Sequence, residues 1–154
     1  MDYKVELKDL ERQDIAVVRF RARPEEVGEK VGEAFQAVVD YLAETGGHIK
    51  GPAIAVYDQA GDDAFEVAAG FPVLAPVQGD GHVVPSELPA VHAAVTEHIG
   101  GYDELPRAYE AIGAWMRANR YTALDTKMWE EYWSEPSSPP EETRTVVIWP
   151  VKPQ

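Results

Sequence analysis

The feature that most constrains this chain is that it repeats itself. Residues 24–46, PEEVGEKVGEAFQAVVDYLAETG, and residues 102–120, YDELPRAYEAIGAWMRANR, fall into register at a displacement of 78 positions. Val27, Val31, Ala34 and Val38 then coincide with Leu105, Tyr109, Ile112 and Met116, whose spacings of four, three and four make the apolar stripe of an amphipathic helix. The acidic pairs Glu25-Glu26 and Asp103-Glu104 also coincide, where a helix N-terminus favours negative charge. The same displacement sets Ile15-Ala16-Val17 on Ala93-Ala94-Val95, and Phe71-Pro72-Val73 on Trp149-Pro150-Val151. Between helix and last strand it drops to 75, which lays AIAVYD (53–58) on MWEEYW (128–133) and Tyr57 on Tyr132. The three residues are recovered in the SSPPEE loop.

Each half therefore reads strand, helix, strand, strand. This predicts an α+β fold in which two repeats, about 1–75 and about 80–153, form a single domain over 1–154. Each repeat would make an antiparallel three-stranded sheet with its helix on one face. A pseudo-twofold between the repeats would leave a ligand cleft between the halves. YKVELKDL (3–10) and GHVVPSEL (81–88) read as short extra strands preceding each repeat, and GGHIKGP, DQAGDD and QGDGH as turn-rich connectors.

Composition narrows the chemistry. With 45% hydrophobic residues the chain can bury a real core. It has no Cys, which excludes disulfides, thiol nucleophiles and cysteine-held metals. The opening MDYKVELKDLERQD is charged rather than signal-like, and no apolar run approaches the roughly 20 residues of a membrane span. A cytoplasmic protein with no membrane partner is the expectation. A formal net charge of -13 repels phosphate backbones and favours cationic partners, so nucleic acid is not an expected ligand. His48, His82, His92 and His98 lack any metal-binding spacing, QGDGH lacks the helix and Lys of a phosphate loop, and there is no GxSxG. No metal or cofactor is expected.

One stretch asks for more than packing. MWEEYWSEP (128–136) interleaves glutamates with large aromatics. Alternation along a strand puts Met128, Glu130, Tyr132 and Ser134 on one face, and Trp129, Glu131, Trp133 and Glu135 on the other. Alternation does not say which face meets a ligand.

AAGFPV, QGDG, HIGGYDELPRAYEAIGAWM, EEYWSEP and the closing TVVIWPV, taken in that order, resemble the GyrI-like small-molecule-binding domain. The resemblance runs from about Ile15 to Val151. That family serves as the effector-binding half of AraC-type and MerR-type drug-sensing regulators, and also occurs alone. Its pattern of Glu-x-Tyr followed by an acidic residue and Pro falls on Glu130, Tyr132, Glu135 and Pro136, which maps the family's cleft glutamate onto Glu130 rather than Glu131. The resemblance implies a cleft for flat, lipophilic, often cationic compounds. Aromatic walls stack on such a ligand and a desolvated carboxylate supplies the opposite charge. Tyr132 and its counterpart Tyr57 are the first candidates for the walls, followed by Trp115, Tyr102 and Phe71. Tyr109 and Tyr102 lie on the helix stripe, where core packing is the prevailing expectation; Tyr102 is kept as a candidate and Tyr109 is not.

The 154 residues leave no room for a helix-turn-helix, so the regulators' DNA-binding function is not expected to carry over. Multidrug binding is the favoured expectation. Some stand-alone relatives are hydrolases that open cyclopropane rings in DNA-alkylating compounds, and in that alternative Glu130 and Tyr132 become catalytic. A third alternative is a topoisomerase or other protein partner. Monomer and dimer both remain open.

Overall fold

The computed structural model describes residues 3–59, 63–133 and 139–154. Ser134, Glu135 and Pro136 of the quoted motif, Ser137 and Ser138 of the SSPPEE loop and the centre of DQAGDD lie outside them. In chain order the elements are β1 (Glu6–Leu10), β2 (Gln13–Ala22), α1 (Pro24–Thr45), β3 (Ala53–Gln59), β4 (Phe65–Pro72), β5 (Val83–Leu88), β6 (Val91–Ile99), α2 (Leu105–Ala118), β7 (Tyr121–Ala123), β8 (Lys127–Tyr132) and β9 (Arg144–Pro153). The fold is α+β, with two helices and antiparallel strand pairing. The chain divides into two compact units: Glu11–Ala90, and β1 together with Val91–Gln154.

In the first unit the strand order is β3-β4-β2-β5. The run Ile15, Ala16, Val17 and Val18 is buried without alternation, as befits a strand covered on both faces. Helix α1 presents Val31, Ala34, Val38 and Leu42 to the interior. Its start is marked by Pro24 and by a Glu26 side chain that accepts the Arg23 backbone N–H at 3.1 Å. It stops at Gly46, whose left-handed φ of 73° a side chain would resist. QGDGH is a turn: the Asp80 carboxylate accepts the backbone N–H groups of His82 and Val83 at 2.9 and 2.7 Å.

In the second unit the order is β1-β6-β9-β8, with β7 added beside the end of β9. Helix α2 buries Ala108 and Ile112, both with no exposure. Pro106 sits in its first turn, so the regular helix begins at Leu105, and Tyr102–Glu104 form a separate 3-10 turn. Strand β7 was not anticipated from the sequence.

Strand register confirms the repeat residue by residue. Ile15 faces Pro72 in the first unit and Ala93 faces Pro150 in the second, each partner displaced by 78. Tyr57 faces Val67 and Tyr132 faces Thr145, which reproduces 75 for the middle strand and 78 for the last. The extra strands take an unexpected place. Leu88 of β5 faces Gln13, while Leu10 of β1 faces Val91. Each repeat's leading strand thus joins the unit built from the other repeat, and each unit has four main strands rather than three.

Candidate functional site

The face of the second unit's sheet turned toward α2 carries Glu130 and Tyr132 of β8. Their ladder partners on that face are Val147 and Thr145 of β9, and Thr96 and His98 of β6 lie beyond those. Glu130 is 5% exposed. The Tyr132 hydroxyl donates to its Oε1 at 2.6 Å, and the Tyr109 hydroxyl, reaching down from α2, donates to its Oε2. Two donors on two different oxygens favour the ionised carboxylate, yet burial opposes it more strongly, and the net result is a carboxyl raised above its ordinary range. Among the described residues no Lys, Arg or His forms an ion pair with Glu130.

An aromatic frame surrounds this carboxyl. Tyr109 meets Trp149 edge-on at 5.9 Å, with its hydroxyl 3.7 Å from Met128 Sδ. Tyr102 stands edge-on to Tyr132 at 6.2 Å. Tyr102 is 57% exposed, which corrects the expectation of core packing: the 3-10 turn ahead of α2 lifts it off the helix stripe to the rim. Burial raises the Tyr102 phenol, and the nearby Glu130 charge raises it further. Tyr109 is the residue the sequence reading left out. Its place on the apolar stripe signalled contact with the sheet, but not that its hydroxyl would end on a carboxylate.

The other candidates make ring contacts within their own units. Trp115 stacks on Tyr121 of β7 at 5.4 Å, toward the far end of α2. In the first unit Tyr57 meets Phe65 edge-on at 6.2 Å, and Phe71 packs against Phe35 at 5.7 Å. The opposite face of β8 carries Trp129, which is buried, and Glu131, which accepts from Trp133 Nε1 at 3.1 Å. Trp133 is half-exposed beneath the Arg144 guanidinium, 5.0 Å from its ring. Burial lifts Glu131 as well, against the Trp133 hydrogen bond and the Lys8 and Arg144 charges.

The repeat provides an internal control. At the displacements its register confirms, Glu130 corresponds to Ala55, Tyr109 to Val31, Thr96 to Val18, Thr145 to Val67 and His98 to Phe20. Ala55, Val31, Val18 and Val67 are ordinary buried core. At these five positions the second unit is polar where the first is apolar, while Tyr132 keeps its counterpart in Tyr57. Thr145 adds to the contrast: it is fully buried and its hydroxyl finds no hydrogen-bond partner among the described residues, a cost a core does not carry without reason.

A hollow of about 470 Å³ opens at the start of α1, lined by Arg21, Ala22, Arg23, Glu26, Asp63 and Ala64. It has no aromatic wall, and none of the candidate residues lines it. Among the described residues no group of three or more His, Asp or Glu could hold a metal ion, and no helix is long and apolar enough to cross a membrane.

No match is found among curated proteins. Among solved structures the chain is similar to the EcmrR C-terminal domain, with a TM-score of 0.82 and 19% identity over 100% of both chains. It is also similar to a hydrolase from Listeria innocua, with a TM-score of 0.71 and 14% identity over 97% of this chain and 92% of that one. A third likeness is to SAV2435 bound to tetraphenylphosphonium, with a TM-score of 0.68 and 12% identity over 99% and 94%. At such identities these structures share the fold alone. Residues 3–152, nearly the whole length, match the GyrI-like small molecule binding domain, and the chain belongs to that family.

Proposed function

We propose that this protein is a binder of flat or globular lipophilic cations, with Glu130 as the counter-charge and Tyr102, Tyr109 and Tyr132 as the walls. The observation that carries the reading is a buried carboxylate that no cation among the described residues pairs with, in a position the first repeat fills with Ala55. An unpaired buried charge is expensive, and a lipophilic cation that enters without a tight water shell is the partner that offsets it. Phenol rings add quadrupole attraction, and two hydroxyls hold the carboxylate oriented before the ligand arrives. Stacking plus one charge discriminates loosely, which suits multidrug binding and a role in drug resistance within the cytoplasm. A structural neighbour solved with tetraphenylphosphonium supplies the natural first probe.

Catalysis is the second reading, favoured by one detail: Glu130 is a raised carboxyl with two phenols on it, an arrangement that can exchange a proton with an electrophile or a water. Hydrolysis of cyclopropane-containing alkylators is the reaction that Glu130 and Tyr132 would serve.

One experiment separates these. The protein is titrated with tetraphenylphosphonium, a neutral triphenyl analogue and a cyclopropane-containing compound, following Trp fluorescence and recovering each compound by mass spectrometry. Preferential binding of the cation, lost in Glu130→Gln, supports the binder. Recovery of the cyclopropane compound with one added water supports the hydrolase. No binding by a folded protein sinks both and leaves a protein partner.

A further inference from the structure

His98 is buried with no exposure, whereas His48, His82 and His92 are exposed. Its two ring nitrogens are both engaged. Nε2 lies 2.9 Å from the Gly101 carbonyl and Nδ1 lies 2.8 Å from the Tyr3 hydroxyl. A carbonyl only accepts, so Nε2 carries a proton toward Gly101, and the Tyr3 hydroxyl completes the pairing at Nδ1. Gly101 belongs to a turn held at further points: the Gly100 N–H donates to Thr143 O at 2.8 Å with Gly100 at a φ of 137°, the Glu104 N–H donates to the same Gly101 carbonyl at 3.2 Å, and the Leu105 N–H donates to Tyr102 O. The next residue is Tyr102, whose ring stands against Tyr132 and so against Glu130.

From the other side, Tyr3 stacks on the imidazole at 5.9 Å and 21°, and the Lys4 carbonyl accepts from the buried Thr96 hydroxyl at 2.9 Å. The repeat again shows what is special. The first unit has Phe20 in place of His98 and Pro24 in place of Tyr102. The polar anchor and the aromatic rim are present together in one unit and missing together in the other.

We infer that His98 is a positioning residue for the ligand site: its bond to Gly101 helps set where Tyr102 stands, and Tyr3, by occupying Nδ1, ties that wall to the N-terminal segment. The inference rests on Tyr102 being a wall of the proposed cation site. It goes further by naming what holds the wall in place.

The test measures the Kd of tetraphenylphosphonium by calorimetry, beside thermal melts. In His98→Gln the side-chain amide reaches the Nε2 position and keeps the donor to Gly101. In His98→Asn it reaches only the Nδ1 position. Both lose stability, but His98→Asn weakens binding roughly three- to tenfold while His98→Gln stays within about twofold. In a Tyr102→Ala background His98→Asn has no further effect, since its action passes through that ring. Equal weakening by the two variants, or additive losses in the Tyr102→Ala background, overturns the inference. Should His98→Asn fail to fold, Tyr3→Phe serves instead. It leaves Nδ1 without its Tyr3 partner, and its roughly twofold or greater loss must likewise vanish in the Tyr102→Ala background. If Tyr102→Ala alone binds as the parent does, the wall assignment itself fails. If Tyr102→Ala weakens binding but the coupling is absent, only the present inference falls.

Discussion

The hydroxyl of Tyr132 lies 2.6 Å from Oε1 of Glu130, two residues away on the same face of β8. Tyr132→Phe separates the two roles this hydroxyl has. The ring and its edge contact with Tyr102 survive, so tetraphenylphosphonium affinity should change by less than about threefold. Stability should fall by ~1–3 kcal/mol, because a charged acceptor loses one donor. Any turnover of a cyclopropane compound should disappear. Calorimetry, denaturant unfolding and product analysis read the three quantities separately.

Protonation of Glu130 gives opposite signs for stability and binding. Burial lifts the carboxyl above its unfolded value, with Tyr109 and Tyr132 pulling it partway back. The folded protein therefore holds that proton more tightly. The resulting stabilisation is complete below the unfolded value and is lost as pH rises through the folded one. Melts of the unliganded protein should show this loss as pH rises above the usual carboxylate range, and Glu130→Gln should remove that component. Affinity for tetraphenylphosphonium should rise over the same interval as the carboxyl ionises, then level off. A pH series of Kd values for parent and Glu130→Gln checks both signs.

Thr145→Val should leave the unliganded protein as stable as the parent, or more stable by about 1 kcal/mol. The hydroxyl has no partner among the described residues, the shape is conserved, and the first repeat carries Val67 at this position. A loss of 2 kcal/mol or more in denaturant unfolding would show that the hydroxyl is bonded in solution.

Ile112→Ala tests the helix that brings Tyr109 to the sheet. Ile112 has no exposure and sits one turn from Tyr109 on α2. The expected loss is ~2–5 kcal/mol, from transfer and cavity terms together. Urea unfolding should show a lower midpoint with an unchanged slope.

Much of this architecture could be read from residue patterns, and the reasons differ by feature. The displacement of 78 was visible because amphipathic stripes and strand runs leave periodic marks, and the ladder pairs Ile15–Pro72 and Ala93–Pro150 reproduce it. The shift to 75 rested on one aromatic, Tyr57 on Tyr132, and register agrees with it. Strand partnership left no such mark: nothing in ELKDL says that it pairs with β6 rather than with β2. Tyr109 was hidden for another reason. A tyrosine on an apolar stripe packs its ring like any core residue, and only the third dimension shows where its hydroxyl ends. Tyr102 was misplaced because Pro106 was not used to start the helix; a Pro in the first turn marks that boundary.

The placement of β1 and β5 has a consequence for what half of this gene would encode. A fragment that ends in the loop after β4 holds β1 but not the strand that β1 borders, and lacks β5 beside β2. Expressed alone, one repeat leaves β2 without its β5 partner and β1 without β6, and trading leading strands with a second copy is the expected route by which those edges would be covered. Two separately expressed halves should accordingly complement each other in trans. Joined in one polypeptide, the same trade becomes intramolecular, and each leading strand pairs across a long sequence separation, from Val18↔Val83 to Glu6↔Val95, a topology expected to fold slowly for its size.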